Sequence, residues 1–287
     1  MTVRILVTGV NGQVGGAIMA LKDDYPFELI PISRADWDMA KEPEKATELI
    51  EQHQPDIVIN PAAYTNVDGA EEDQETAFVV NASAVAELAK ACKKADIPLL
   101  HVSTDYVFDG TKETPYTEDD PINPINVYGK SKAEGERLVR EVLNAHIILR
   151  TSWVFSASGK NFVTTMRRLG KERDELKIVD DQRGGPTSAD CIASLLMSIA
   201  SQYVQDKAIP WGTYHYAGSP VVSWYEFAEA IFEVGDKAHR PKLIPCTSTE
   251  YTTKAQRPKN SALSTARIER YIGVLGCDWT LKLKSIC

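Results

Sequence analysis

The sequence predicts an α/β fold: a doubly wound parallel sheet followed by a smaller C-terminal lobe. In the first half of the chain, short runs that are apolar throughout alternate with segments of helical periodicity. Strands without a polar face are buried on both sides, which requires helices on both faces of a parallel sheet. Right-handed crossovers then wind the chain across the sheet in two directions. The second half alternates less regularly, which indicates a separate lobe.

Strands and helices follow one another in strict order through the first half. The apolar strand segments lie at 3–8, 27–33, 56–60, 98–103 and 146–151. Helical periodicity fills the intervals, from the first turn to about residue 22 and then at 44–53, 73–95 and 126–144. This repeated order is what a parallel sheet with helical crossovers requires.

After Trp153 the elements are separated by clusters of Gly, Pro and Thr. The pattern predicts helices near 160–172, 189–204 and 223–234, and strands at 176–180 and 213–218. We expect some of these elements to return to the sheet and the others to form a lobe over its carboxyl edge. The predicted domains are therefore residues 1–152 and 153–287.

The composition is that of a globular protein. Of 287 residues, 43% are apolar and 25% are charged, which argues against disorder. The net charge of −8 gives no electrostatic reason to expect a nucleic acid or an anionic membrane as partner. No apolar run approaches the ~20 residues that cross a bilayer, and no signal peptide is recognisable. We expect a cytoplasmic protein.

The five cysteines are scattered through the chain, without a C-x-x-C pair: Cys92, Cys191, Cys246, Cys277 and Cys287. This spacing predicts neither a disulfide framework nor a zinc site. We therefore expect all five to be thiols, buried or on the surface.

A glycine turn joins the first predicted strand to the first predicted helix. In "TGVNGQVGG", Gly9, Gly12 and Gly15 have the spacing G-x-x-G-x-x-G. Glycine permits positive φ, close approach to a diphosphate and tight helix–strand contact. The helix amino end then offers unpaired N–H groups to the phosphates. The motif predicts a Rossmann-type NAD(P)-binding domain over 1–152 and a substrate-binding lobe over 153–287. Its spacing resembles that of the extended short-chain dehydrogenase/reductase superfamily.

The end of the second strand indicates which dinucleotide is bound. "ISRADWD" places Ser33 and Arg34 where many NAD-binding domains have an acidic residue. A hydroxyl and a guanidinium suit a 2′-phosphate, so we expect NADPH, with NADH as the alternative. Arg34 could also be an ordinary solvated arginine. The resemblance implies that Asp38 meets the adenine ring and that Met39 also contacts the cofactor.

"INPAAYTNVD", after the third strand, resembles the superfamily's N-x-A-A-[YH]-T segment. The backbone of that segment packs against the cofactor ribose and nicotinamide, and the small Ala62 and Ala63 allow this approach. The remaining cofactor contacts that the resemblance implies are Asn11, Gln13, Val14, Tyr64 and Val102.

Three residues have the superfamily's catalytic arrangement. Thr104 ends the fourth strand in "HVSTDYVFDG", and "NVYGKSKAEGE" places Tyr128 and Lys132 four residues apart at the start of a helix. Residues i and i+4 share a helix face. Reduction of a ketone leaves an alkoxide that needs a proton, which a phenol beside an ammonium can donate. We expect Lys132 to lower the pKa of Tyr128 and to bind the nicotinamide ribose. Thr104 would polarise the substrate oxygen.

Further segments resemble the dTDP-4-dehydrorhamnose reductase (RmlD/RfbD type) family over nearly the whole chain, among them "NPAAYT", "RTSWVF", "DQRGGPTS" and "RPKNSAL". The resemblance implies NAD(P)H-dependent reduction of the C4 ketone of dTDP-4-dehydro-β-L-rhamnose to dTDP-L-rhamnose. It makes Thr104, Tyr128 and Lys132 catalytic, and it makes Thr104, Asp105 and Trp153 contacts of the dTDP-4-dehydro-6-deoxy sugar. Packing in the core is the other interpretation of Trp153.

Two alternative functions stay open at this point: reduction of another 4-keto deoxysugar nucleotide, and a non-catalytic regulatory subunit that keeps the fold. The sugar-nucleotide dehydratases are disfavoured because Tyr106 replaces the glutamate of their Thr-Asp-Glu triplet. Some family members form a magnesium-bridged dimer through a glutamate near the position of Ala17. Asp190 alone is a poor metal site, so we expect no metal and either a monomer or a homodimer.

Overall fold

The structure is a computed structural model that describes residues 2–206, 209–235 and 240–286. Residue 1, where the first predicted domain begins, and residue 287, where the second ends, lie outside these ranges. The predicted thiol of Cys287 therefore also lies outside the described residues.

Within the described residues, the central sheet has six strands in the order β10-β5-β4-β3-β1-β2, and every pairing is parallel. The strands of this sheet are β1 (Val3–Thr8), β2 (Phe27–Ile32), β3 (Ile57–Asn60), β4 (Leu99–Thr104), β5 (His146–Thr151) and β10 (Gly212–His215). From β1 the chain winds first to β2 and then across to β3 and beyond. The direction changes between β1 and β3, where ligands bind in doubly wound sheets.

The predicted return of part of the second half to the sheet is visible in β10, which pairs with β5. The strand predicted at 176–180 lies in the lobe instead. The strands outside the sheet are β6 (Val154–Phe155), β7 (Glu175–Val179), β8 (Arg183–Gly184), β9 (Thr187–Ser188), β11 (Gly218–Ser219), β12 (Val222–Ser223), β13 (Lys242–Cys246) and β14 (Cys277–Asp278).

Helices cover both faces of the sheet and build the lobe. They are α1 (Gln13–Ala20), α2 (Ala46–His53), α3 (Val67–Glu72), α4 (Gln74–Phe78), α5 (Ala84–Ala95), α6 (Val127–Val142), α7 (Phe162–Glu172), α8 (Ala189–Asp206), α9 (Trp224–Val234), α10 (Ala266–Ile272) and α11 (Trp279–Ile286). Apolar side chains of α1 and α8 form the core on one sheet face, and those of α2 and α5 form it on the other.

The helix predicted at 73–95 is interrupted by a π-helical segment, Val79–Ser83. Its Asn81 accepts a hydrogen bond from the Tyr64 N–H (2.9 Å) and donates to the hydroxyl of Ser131 (3.0 Å). Such π-bulges are frequent at functional sites because they redirect one side chain. Here the bulge joins the segment after β3 to α6.

The lobe has its own core beyond the carboxyl edge of the sheet. β7 and β13 pair in parallel, and α7, α9 and α11 pack around Phe155 and Phe227, both completely buried. This core is separate from those of the sheet, so the lobe is a distinct layer that faces the ends of the strands.

The expectation that every cysteine is a thiol is wrong for one pair. Cys191 on α8 and Cys277 on β14 are disulfide-bonded, with Cα atoms 6.2 Å apart. The two residues are 86 positions apart in the sequence, so only the packing of α8 against the C-terminal segment brings them together. Cys92 and Cys246 are free and buried.

None of the helices in the described ranges is both long enough and apolar enough to cross a membrane.

Candidate active site

One cavity of about 1070 Å³ opens where the strand ends face the lobe. All the cofactor, catalytic and substrate residues named from the sequence line it, from Gly9 in the first turn to Trp153 after β5. Its volume lies at the upper end of the ~300–1,000 Å³ typical of small-molecule sites.

The glycine turn forms the floor of the cavity at its dinucleotide end. Gly9 has φ +59°, and a Cβ there would lie 2.9 Å from the Cα of Ala62; a Cβ at Gly15 would overlap the carbonyl oxygen of Gly9. The N–H of Gly12 donates to that carbonyl (2.9 Å). Gly12 begins α1 without a side-chain cap, so the first N–H groups of the helix are free for an anion. These features fit a bound diphosphate.

At the predicted 2′-phosphate end, the charged groups are exposed. The guanidinium of Arg34 is 3.6 Å from the carboxylate of Asp38, and Lys41 approaches the same carboxylate at 3.5 Å. The side chains of Arg34 and Lys41 are each 79% exposed. Ser33 donates its backbone N–H and its hydroxyl to Asp36, and the hydroxyl bond in particular lowers the pKa of Asp36. Lys41, which the sequence reasoning missed, lies in the same cavity lining.

The catalytic end is buried and tightly ordered. Asn126 caps α6 by accepting the Gly129 N–H (2.7 Å), which sets the helix start so that Tyr128 and Lys132 both face the cavity. Thr104, at the end of β4, hydrogen-bonds Tyr128. The structure thus brings together the three residues predicted to be catalytic.

One electrostatic expectation is wrong in this structure. Burial raises the pKa of Tyr128 to about 12, although the hydrogen bond with Thr104 opposes the shift. Lys132 is not among the groups that move this pKa; its Nζ donates to the carbonyl of Val102 (2.8 Å). Burial in turn lowers the pKa of Lys132 to about 8, partly offset by the charge of Glu136. Tyr128 is therefore a neutral phenol across the physiological range, as a proton donor must be.

Two buried oxygens beside the catalytic residues lack a hydrogen-bond partner among the described residues: Oδ2 of Asp105 and Oγ1 of Thr151. Burial raises the pKa of Asp105 to about 7, although hydrogen bonds from Ser261 and Thr104 to this carboxyl oppose the shift; the Thr104 hydroxyl donates to Oδ1 (3.0 Å). Buried polar atoms are normally paired. Both residues line the cavity, so these oxygens are available to a polar ligand.

Both faces of the Trp153 indole are covered. Trp224 stacks on it with ring centroids 3.5 Å apart and planes 7° from parallel. Gly184 packs on the opposite face, since a Cβ there would lie 2.5 Å from Cε2 of the indole. Trp153 is therefore not an open platform for a sugar ring; its edge and its N–H remain. Trp224 and Lys160 also line the cavity, and no local sequence signal marks either one.

A buried ion pair supports the strand that carries Thr104. Glu136 accepts hydrogen bonds from Arg150 (2.9 and 2.7 Å) and from the Ser103 hydroxyl (2.6 Å). The carboxylate is fully buried and the guanidinium nearly so. This pair links α6, β4 and β5 just behind the catalytic residues.

Comparison with known proteins places this geometry in a family. Residues 3–287 match the family model described as the RmlD substrate binding domain. The dTDP-4-dehydrorhamnose reductase of Aggregatibacter actinomycetemcomitans is 43% identical over 99% of this chain and 98% of its own. The chain belongs to the dTDP-4-dehydrorhamnose reductase family.

Solved structures of the family share the whole fold. A dTDP-4-dehydrorhamnose reductase from Clostridium acetobutylicum superimposes with a TM-score of 0.92 at 37% identity, covering 99% of this chain and 98% of the other. The Bacillus anthracis reductase, solved in complex with NADP, superimposes with a TM-score of 0.91 at 33% identity, covering 100% and 99%. The Rossmann-type sheet predicted from the sequence is thereby confirmed.

Proposed function

We propose that this protein reduces the C4 ketone of dTDP-4-dehydro-β-L-rhamnose to dTDP-L-rhamnose, with NADPH as reductant. The observation that carries the proposal is the convergence of Thr104, Tyr128 and Lys132 at one buried end of the cavity, in a chain of this family. A non-catalytic relative has no need to keep all three.

Residues of the chain supply the proton that the reduction needs and stabilise the negative charge that develops on the C4 oxygen. NADPH, when bound, supplies the hydride for C4. Tyr128, neutral because burial raises its pKa to about 12, donates the phenolic proton to the C4 oxygen. The Thr104 hydroxyl, which donates to Asp105 in the structure, would turn to donate to the same oxygen and stabilise the charge that develops on it. Lys132 binds the nicotinamide ribose.

The exposed cation pair beside the turn after β2 supports NADPH as the cofactor. Arg34 and Lys41 flank Asp38, and both could turn toward a 2′-phosphate at little cost because neither is buried. NADH lacks this phosphate but retains all the other contacts, so it remains a weaker alternative reductant. The Bacillus anthracis relative was solved with NADP, which supports the same choice.

Asp105 and Trp153 are the proposed contacts of the sugar nucleotide. The unpaired Oδ2 of Asp105 can accept a sugar hydroxyl or, when protonated, donate to one. Trp153 would contact the substrate through its edge or its N–H, since its two faces are occupied. The lobe side of the cavity also offers Lys160, an exposed cation near the place a nucleotide diphosphate would enter.

The composition supports proposals about the partners and the location of the enzyme. A net charge of −8 disfavours nucleic acid as a partner, and we propose a cytoplasmic enzyme that acts as a monomer or a homodimer. The disulfide between Cys191 and Cys277 is unusual for a protein of a reducing cytoplasm, where structural disulfides are rare. Counting reactive thiols with and without reductant would establish the state of this pair.

The direct test combines the purified protein, NADPH and dTDP-4-dehydrorhamnose. Loss of reduced-nicotinamide absorbance is expected, and NMR of the product should show the C4 configuration of L-rhamnose. Turnover that yields a different C4 configuration, or that requires a different sugar nucleotide, would identify the alternative reductase. NADPH binding without turnover of any such ketone would favour the regulatory function and contradict the proposal.

A further inference from the structure

A row of buried polar side chains runs from the catalytic lysine across three strands of the sheet. The Nζ of Lys132 lies 3.3 Å from Nε2 of His101 on β4. Nδ1 of His101 lies 3.0 Å from the amide nitrogen of Asn60 on β3. The hydroxyl of Thr8, at the end of β1, donates to the amide oxygen of Asn60 (2.5 Å) and accepts the Ala62 N–H (3.4 Å).

The strand register produces this row. Asn60 and His101 are directly paired across β3 and β4, and Thr8 occupies the matching end of β1. Thr8, Asn60, His101 and Lys132 are each at most 1% exposed. Polar groups in such apolar strands cost stability unless they are hydrogen-bonded. Simple packing would be served better by apolar side chains, so the row needs another explanation.

The imidazole of His101 is neutral. Burial, reinforced by the charge of Lys132, holds the pKa of His101 well below its usual range, and His146 on β5 acts in the same direction. A neutral imidazole has one N–H donor and one acceptor nitrogen. It can therefore serve Lys132 as an acceptor at Nε2 or, in the other tautomer, as a donor.

These two tautomers match the two protonation states of the lysine. A charged Lys132 donates to Nε2, so the proton of His101 is on Nδ1. The Asn60 amide must then be turned over from the orientation given above, with its oxygen toward Nδ1 and its nitrogen toward the Thr8 hydroxyl. A neutral Lys132 accepts from Nε2–H, and the Asn60 amide then donates to Nδ1. In both states every group in the row has a partner, while Lys132 keeps its bond to the Val102 carbonyl.

We propose that His101, held by Asn60, is a positioning residue that keeps Lys132 in one place beside the cofactor and stabilises its charged form. This inference rests on the proposed function only for the role of Lys132 in turnover. Among the described residues, the charge that acts on Lys132 is that of Glu136, one helical turn further along α6, which also favours the ammonium.

The test is a set of substitutions at His101, read out by pH profiles. His101→Phe keeps the ring volume and removes the acceptor, so the charged lysine loses stabilisation. The alkaline limb of kcat should move to lower pH by about one unit, the effect of one hydrogen bond to a charged group, so kcat should fall about twofold at neutral pH and about tenfold at pH 9 and above. His101→Gln offers an amide oxygen near the position of Nε2 and should restore much of both.

A second readout needs no sugar nucleotide. The affinity for NADPH, followed by nicotinamide fluorescence, should weaken as Lys132 loses its proton, and in His101→Phe this weakening should begin at lower pH. If it does, while the wild type fails to reduce any 4-keto sugar, the proposed function is wrong and the role of His101 stands. If neither pH limb moves in His101→Phe, the positioning role is wrong.

His215→Phe is the matched control. His215 is equally buried on β10 and hydrogen-bonds the Tyr116 carbonyl and Arg150, so within the described residues it reaches Lys132 only through the Arg150–Glu136 pair. This variant should lose thermal stability without a shift in the pH dependence of kcat or of NADPH affinity. A shift as large as that of His101→Phe would mean that general loosening of the sheet causes the effect, and it would contradict the positioning role. Should His101→Phe fail to fold, Asn60→Ala should move both limbs in the same direction by a smaller amount, and unchanged limbs there would refute the proposal.

Discussion

The charged residues at the two ends of the cavity differ in how far they are exposed to solvent. At the 2′-phosphate end, Arg34 and Lys41 are mostly exposed and pair loosely with Asp38 at 3.5 to 3.6 Å. At the catalytic end, Lys132 and Glu136 are buried and each is held by short hydrogen bonds. Exposed charges are screened and mobile, whereas buried ones shift pKa values and tolerate little change. Substitutions should therefore have large effects at one end and small effects at the other.

The largest effect is expected for Tyr128→Phe. The variant keeps the ring and removes the proton donor, so kcat should fall by ~10²–10⁴ while NADPH binding persists. Steady-state kinetics and cofactor titration measure both quantities. Tyr214→Phe, which removes a buried hydroxyl that donates to Pro210 far from the cavity, serves as control. Near-normal turnover of Tyr128→Phe would rule out the assignment.

Glu136→Gln tests the buried ion pair. Removal of the carboxylate charge leaves the buried guanidinium of Arg150 without a counter-charge, which should cost ~3–5 kcal/mol of unfolding free energy. Glu134→Gln, on the exposed side of the same helix and paired with Arg137, should cost less than ~1 kcal/mol. Denaturant unfolding of the two variants gives the comparison. Equal losses would mean that burial does not distinguish the two sites.

The pH dependence of reduction should reflect Lys132. Burial lowers its pKa to about 8 from the ordinary value of 10.5, so the charged form is present below pH 8 and is lost as the pH rises through that value. If the ammonium is required, kcat/KM should be level near neutrality and then fall by up to ~10-fold per pH unit above about 8. A profile that stays level to pH 10 would contradict the requirement.

Trp153→Phe separates the two roles of this residue. Phenylalanine can keep most of the stacking on Trp224 but has no N–H, so the melting temperature should change little while KM for the sugar nucleotide rises about fivefold, the loss of one hydrogen bond. Trp153→Ala should also remove the stack and lower stability by a few kcal/mol. A normal KM in Trp153→Phe would leave Trp153 with packing as its role.

The smallest effect is expected at the exposed end. Arg34→Ala should raise KM for NADPH about fivefold and leave KM for NADH unchanged, because an exposed ion pair contributes ~1 kcal/mol or less. Lys41→Ala should behave in the same way, and the double variant should lose most of the preference between the cofactors. Equal changes in KM for NADPH and NADH would show that Arg34 is an ordinary surface residue.

Local sequence patterns were sufficient to predict much of the fold and of the candidate site. The apolar strands, the glycine turn and the Tyr-x-x-x-Lys spacing each depend on residues close in sequence, and their roles follow from backbone geometry at that scale. Because parallel strands end at a common edge, residues that end or follow successive strands meet in one cavity. The sequence alone could therefore indicate the sheet, the dinucleotide end and the meeting of Thr104, Tyr128 and Lys132 in one cavity.

What only the tertiary structure decided involves side chains that are distant in sequence. The Cys191–Cys277 bond joins residues 86 positions apart, and the covering of Trp153 depends on Trp224 and Gly184, from two other segments. The shifted pKa values of Tyr128 and Lys132 arise from burial, which no single segment specifies. Thr8, Asn60 and His101 each appear in the sequence as a polar residue in an apolar strand. Only the sheet register places them in a row beside Lys132, because hydrogen bonds depend on distances that strand pairing alone sets.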